Sequence, residues 1–97
     1  WDLYGQNYPV TFRNCIAKYN GYRDSSLKTT SNGDGNGFKL GSAGISVKYS
    51  LTGCEAYNNL ACGYDGNGNT GAISVSNCKS SGNKKYQWYR ISGIANR

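Results

Sequence analysis

Apolar and polar residues alternate in three short stretches of the chain, Val10-Thr11-Phe12, Ile45-Ser46-Val47 and Ile73-Ser74-Val75. Alternation at period two marks a strand with one buried face. No stretch holds apolar residues at helical spacing beyond about one turn, so helix is expected to be nearly absent. A slower repeat overlies this one. Asn14-Cys15-Ile16-Ala17, Gly53-Cys54-Glu55-Ala56 and Asn77-Cys78-Lys79-Ser80 each centre on a cysteine, and each is followed, five residues past that cysteine, by an asparagine: Asn20, Asn59 and Asn83. The cysteines stand 39 and 24 residues apart. The shorter interval suits one winding of a solenoid, and the longer one reads as the same winding enlarged by a Gly/Ser/Asn-rich insertion at Asn20 to Gly37. Repetition on this scale implies stacking in which each winding buries its face against its neighbours alone.

Aligning the chain on its cysteines brings a second column into view. Trp1-Asp2-Leu3, Phe38-Lys39-Leu40, Tyr64-Asp65-Gly66 and Tyr86-Gln87-Trp88 each set an aromatic residue before a polar one. Neighbouring side chains of a strand face opposite ways. The aromatics therefore stack inside, and Asp2, Lys39, Asp65 and Gln87 are predicted to form an outward column at a spacing of about 4.8 Å. The fold this predicts is all-β, a right-handed parallel β-helix of about three to four coils, its hand following the usual crossover rule. One or two strands per winding are expected from Val10 to Ala17, Ile45 to Ala56 and Ile73 to Ser80. The three asparagines would stack at a turn as an amide ladder that satisfies backbone groups left unpaired by the bend. The competing architecture is an antiparallel sandwich, for which Asp65-Gly66 and Asn67-Gly68 would serve as hairpin turns. Cys15, Cys54 and Cys78 share one column and read as a ladder of buried thiols rather than a disulfide, since parallel side chains rarely meet the required dihedral.

Ninety-seven residues, 37% hydrophobic and 16% charged, fit a single domain over 1–97. No apolar run approaches the length that spans a bilayer, so no membrane partner is expected. The chain opens at Trp1 and holds no methionine, which reads as a stretch from within a longer protein. The net charge of +6 suits a polyanionic partner. The cations Arg13, Lys18, Arg23, Lys28, Lys48, Lys79, Lys84 and Lys85 are scattered, however, and no aromatic-basic motif of the ribonucleoprotein kind is present, which argues against nucleic acid. Without histidine or a CxxC pair a zinc site is not expected, and a serine-histidine hydrolase is excluded in its usual form.

The segment Gly35-Asn36-Gly37-Phe38-Lys39-Leu40-Gly41, with the Asn-Cys-x-Ala lines and Trp1-Asp2-Leu3, closely resembles the parallel β-helix pectate lyases of polysaccharide lyase family 9. The likeness extends over Pro9 to Asn20, Cys54 to Asn59, and Gly63-Tyr64-Asp65 with Asn67 and Asn69. It implies that Lys39 is the catalytic base. It also implies calcium, bound in the family partly through an Asp-Asp-Gly-aromatic-Asp run whose last aspartate matches Asp2. The partner would be an acidic polysaccharide, polygalacturonate or pectin, and the protein a secreted, extracellular monomer. The rest of the aspartate run would precede Trp1, so the isolated chain is expected to show little activity.

The implied chemistry is physically demanding. β-Elimination takes the proton beside the uronate carboxylate, and a lysine can accept it only as the neutral amine. Asp2 and Asp65, one winding to either side, would favour the ammonium form, whereas a divalent cation on Asp2 would oppose it. Asp65-Gly66-Asn67-Gly68-Asn69 spaces oxygen ligands as a calcium loop does, but Thr70 and Ser76 stand where such a loop needs Gly and Glu, and a turn is the plainer reading. Gly33-Asp34-Gly35-Asn36-Gly37 lacks the Lys-Ser/Thr ending of a phosphate loop and reads as a flexible lead into the strand. Asp2 and Asp65, two windings apart, have the separation of an inverting glycosidase pair without any supporting motif. The alternative to a lyase is a non-catalytic β-helix that binds acidic polysaccharide or acts as an adhesin-like spacer.

Overall fold

A computed structural model describes residues 1–91; the last six positions of the expected 1–97 domain lie outside the described residues. Nine short strands follow one another among the described residues. They are β1 (Thr11–Arg13), β2 (Ile16–Lys18), β3 (Phe38–Lys39), β4 (Ser50–Thr52), β5 (Glu55–Tyr57), β6 (Tyr64–Asp65), β7 (Ser74–Ser76), β8 (Lys79–Ser81) and β9 (Trp88–Tyr89). Every third strand pairs in parallel, giving three sheets ordered β1-β4-β7, β2-β5-β8 and β3-β6-β9. This is a parallel β-helix of three windings, each contributing one strand to each of three faces. The antiparallel sandwich is not formed. Among the described residues there is no helix, and none is therefore long or apolar enough to cross a membrane.

The corners explain why the repeat is so visible. Asn14, Gly53 and Asn77, each just before a ladder cysteine, all adopt positive φ (53°, 65° and 55°). So do Tyr19, Asn58 and Gly82, each just before a ladder asparagine (59°, 55° and 65°). Asn and Gly occupy this left-handed region at the least cost, which accounts for five of the six corner residues. Between the two corners β2, β5 and β8 are held to three residues. The cysteines stack as expected, with the Cys54 N–H on the Cys78 Sγ at 3.4 Å, and all four cysteines are free thiols.

The asparagine ladder is formed as expected. The Asn20 N–H donates to the Asn59 Oδ1 at 3.0 Å, and the Asn59 N–H donates to the Asn83 Oδ1 at 3.0 Å. The Asn59 Nδ2 donates to the Ala17 carbonyl and to the Asn83 Oδ1. Buried backbone at each bend is thereby paired without a strand partner.

Inside, Phe12, Leu51 and Val75 stack from the first face, and Ala17, Ala56 and Ser80 from the second. The third face contributes an aromatic stack. Ring centroids of Trp1 and Phe38 lie 6.2 Å apart, those of Phe38 and Tyr64 4.9 Å, and those of Tyr64 and Trp88 4.1 Å, with interplanar angles of 7°, 4° and 5°. Small residues on the second face leave room for these rings.

Two expectations are corrected. Ile45-Ser46-Val47 is not a strand: the buried Asn69 side chain accepts from the Val47 N–H and donates to the Val47 carbonyl, both at 3.0 Å, in place of a ladder. Gln87 is not in the outward column. The aromatic of the last winding is Trp88, and the outward residue is Tyr89, paired with Asp65. Gln87 instead closes the asparagine ladder, its Oε1 accepting from the Asn83 Nδ2 at 2.7 Å and its Nε2 donating to the Asn83 carbonyl at 3.2 Å.

Candidate functional site

The outward column of the third face runs Asp2, Lys39, Asp65, Tyr89. Asp2 pairs with Lys39 as a parallel bridge, Lys39 with Asp65, and Asp65 with Tyr89. Strand alternation fixes the direction of Lys39, because Phe38 and Leu40 on either side are wholly buried. The glycine ahead of them is a steric requirement: a Cβ at Gly37 would stand 2.6 Å from the Gly63 carbonyl oxygen on the next winding.

The Lys39 side chain is 19% exposed, and its Nζ donates to the Asp34 Oδ2 at 2.9 Å. The bond to Asp34 holds the ammonium above its ordinary range; partial burial opposes this, and the charges of Asp34, Asp2 and Asp65 reinforce it. Lys39 in turn holds the Asp34 carboxyl below the usual carboxylate range. The Nζ also lies 5.9 Å from the centre of the Tyr4 ring. The nearest carboxylate thus comes from the insertion, where the sequence pattern had suggested only a flexible lead. Its signal was an acid five residues ahead of a lysine across glycines, too short-range to show in the repeat.

Asp65 is buried rather than open. Arg90 grips it through two bonds, Nε to Oδ1 at 3.1 Å and an Nη to Oδ2 at 3.0 Å, and the Asn67 N–H donates to Oδ1 at 2.8 Å. Arg90 offsets its charge, part of which still acts on Lys39. Bidentate arginine pairing of this kind is geometrically specific. The reading of 65–69 as a turn holds, since Asn67 donates to the Gly41 carbonyl at 2.8 Å and Asn69 serves the backbone around Val47. With its oxygens committed, Asp65 does not pair with Asp2 across an open sugar site.

Asp2 lies on the first winding, exposed, with Oδ1 accepting from the Tyr4 N–H at 3.0 Å. Among the described residues, no three His, Cys, Asp or Glu side chains gather to hold a metal. Asp2 alone does not make a calcium site; it would supply one carboxylate of a larger set of oxygen ligands.

Lys39, Asp34, Asn36, Asp65, Lys85 and Tyr86 line an open groove of about 540 Å³ over the third face. A groove of that size along a column of alternating charge can take an extended polar chain.

A family model described as the Pel9A-like, right-handed β-helix region matches residues 1–96. The chain belongs to that family. Its windings are right-handed, as the crossover rule led one to expect. Among curated proteins, the chain is 39% identical over 82 residues to a pectate lyase L of Thermoclostridium stercorarium, covering 79% of this chain and 6% of that protein. It is 38% identical over 82 residues to a pectate lyase L of Paenibacillus polymyxa, covering 79% of this chain and 18% of that protein. A pectate lyase L of Dickeya chrysanthemi is 35% identical over 80 residues, with the same coverage of 79% and 18%. The chain therefore spans less than a fifth of the length of the curated relatives it matches. No solved structure matches it significantly.

Proposed function

We propose that this chain is the Lys39-bearing portion of a secreted pectate lyase that cleaves polygalacturonate by β-elimination. The observation that carries the reading is the seating of Lys39 on the outer face, between Asp2 and Asp65, in a groove of a chain related to proteins named pectate lyase L. In its neutral form the Lys39 amine takes the proton beside the uronate carboxylate; the electron pair forms a carbon-carbon double bond, and the glycosidic oxygen leaves from the neighbouring carbon with a proton taken from water. Lys39 is then an ammonium, which Asp34 is placed to receive. Asp34 has two effects on this chemistry: it orients Nζ, and it raises the pH at which the amine is free.

Calcium dependence belongs to the proposal only through Asp2, as one carboxylate of a site completed by residues beyond those described. No step is derived through that ion. The test is product chemistry. Polygalacturonate treated with the full-length protein carrying this chain should yield unsaturated uronides, read as a rise in ultraviolet absorbance. New reducing ends without that absorbance would mean hydrolysis and end the lyase reading.

One observation favours the second reading, a non-catalytic β-helix that binds acidic polysaccharide. Lys39 is held as an ammonium by Asp34, a state suited to a carboxylate contact and unsuited to proton removal. Binding to polygalacturonate without any cleavage up to alkaline pH would select it.

A further inference from the structure

The groove ends in a feature that the elimination chemistry does not use. The Tyr86 and Tyr89 rings stack with centroids 4.7 Å apart and planes 7° from parallel. The Arg90 guanidinium lies 4.8 Å from the centre of the Tyr89 ring, and that same guanidinium is locked onto buried Asp65. The Tyr86 carbonyl accepts from the Gly63 N–H at 2.9 Å, and the Lys85 N–H donates to the Ala61 carbonyl at 3.1 Å. The pair of rings is therefore braced from the core outward, yet Tyr86 keeps 54% of its surface exposed and Tyr89 keeps 37%. Tyr89 points outward from β9 and Tyr86 lies just ahead of that strand, so neither ring belongs to the inner stack of Phe38, Tyr64 and Trp88.

The charges of the groove point the same way. Of its cations, Lys39 is paired with Asp34 and Arg90 with Asp65. Lys85 has no carboxylate partner among the described residues. An aromatic platform beside an unpaired ammonium matches a sugar ring that carries a carboxylate: the C–H face of the pyranose packs on the ring, and the carboxylate meets the cation. Tyr89 sits two rungs from Lys39 on the same column, roughly 9.6 Å along the helix axis at strand spacing. A polysaccharide lying along that column would reach both.

We propose that Tyr86 and Lys85, braced by Tyr89 and Arg90, form a subsite for a uronate residue of the acidic polysaccharide, displaced along the helix axis from the sugar at Lys39. The inference rests on the polyuronate reading above for its ligand, but not on cleavage. The experiment is affinity electrophoresis of the full-length protein through gels containing polygalacturonate, alongside calorimetric titration with oligogalacturonate. Tyr86→Ala should weaken binding by about tenfold, Tyr86→Trp should retain it, and Lys85→Gln should weaken it by about fivefold with a flatter salt dependence. Thermal midpoints within a degree or two of the parent protein exclude loss of fold as the cause. If Tyr86→Ala and Lys85→Gln bind as tightly as the parent protein while unsaturated product is formed, the subsite is refuted and the lyase reading stands. If both variants lose affinity but no unsaturated product appears, the subsite stands and the lyase reading falls. Failure of the parent protein to bind polygalacturonate at all would overturn the subsite as well.

Discussion

The inner and outer columns of the third face are made of adjacent residues on the same strands, and they follow opposite rules. Inside, Trp1, Phe38, Tyr64 and Trp88 repeat one solution, a flat ring stacked on the next. Outside, Asp2, Lys39, Asp65 and Tyr89 change from each rung to the next, and each finds a different partner. Packing demands uniformity because every winding must fit the one beneath it. The outer face has no such demand, so chemistry can vary there one residue at a time. Stability should therefore be concentrated in the inner column and activity in the outer one.

The largest stability effect should come from Phe38→Ala, which removes a wholly buried ring from the stack between Tyr64 and Trp1. A loss of about 3–5 kcal/mol is expected in denaturant unfolding. A cost below about 1 kcal/mol would show that the stack can collapse around the gap and is not the main support of the face. Asn59→Ala comes next. It removes the side-chain partner of the Asn20 N–H and of the Ala17 carbonyl, at about 1–3 kcal/mol for each buried group left unpaired, while the Asn83 Oδ1 keeps the Asn59 N–H. Hydrogen exchange should rise at Asn20, and unchanged protection there would mean that water substitutes for the ladder.

In the outer column, Asp34→Asn should leave the melting behaviour almost unchanged and move the pH-rate profile. Asp34 raises the Lys39 pKa, so its removal returns the amine toward the ordinary lysine value near 10.5, and the rising limb of the profile shifts to lower pH. An unmoved limb with a lower plateau would mean that Asp34 acts mainly by orienting Nζ. The smallest effect concerns alkaline stability. Burial raises the Cys54 and Cys62 thiols above the usual 9.0 and the Tyr64 phenol far above 10.0. The unfolded chain sheds these protons as pH climbs past about 9 while the native chain keeps them, so stability is complete below that pH and declines above it. Thermal midpoints should be flat to about pH 9 and then fall, less steeply in Cys54→Ala. A flat line through pH 11 would show that the interior admits the charged forms.

How much of this was legible in the sequence follows the same division. The Cys and Asn columns, the number of windings and the outward direction of Lys39 beside Asp2 could all be read, because each is imposed by a repeat that packing enforces. The last rung was misread by counting from Tyr86. Counting five residues on from Asn59 and Asn83 reaches Tyr64 and Trp88, and that count reflects the fixed path from the ladder corner to the third face. Asp34 and Arg90, which set the charge state around the site, were missed because neither repeats. Asp34 reaches Lys39 only through the path of the insertion, and Arg90 reaches Asp65 from a residue with a φ of 52° just past β9. Partners supplied by loops leave no periodic trace in a chain.

The central proposal is that Lys39 performs proton removal from the outer face while contributing little to the fold. It is tested most directly by Lys39→Ala in the full-length protein, with initial rates of ultraviolet absorbance on polygalacturonate measured beside thermal unfolding. The account predicts a fall in rate of about 100-fold to 10,000-fold, the range of a lost general base, with an unchanged midpoint. Turnover equal to that of the unsubstituted protein would contradict it.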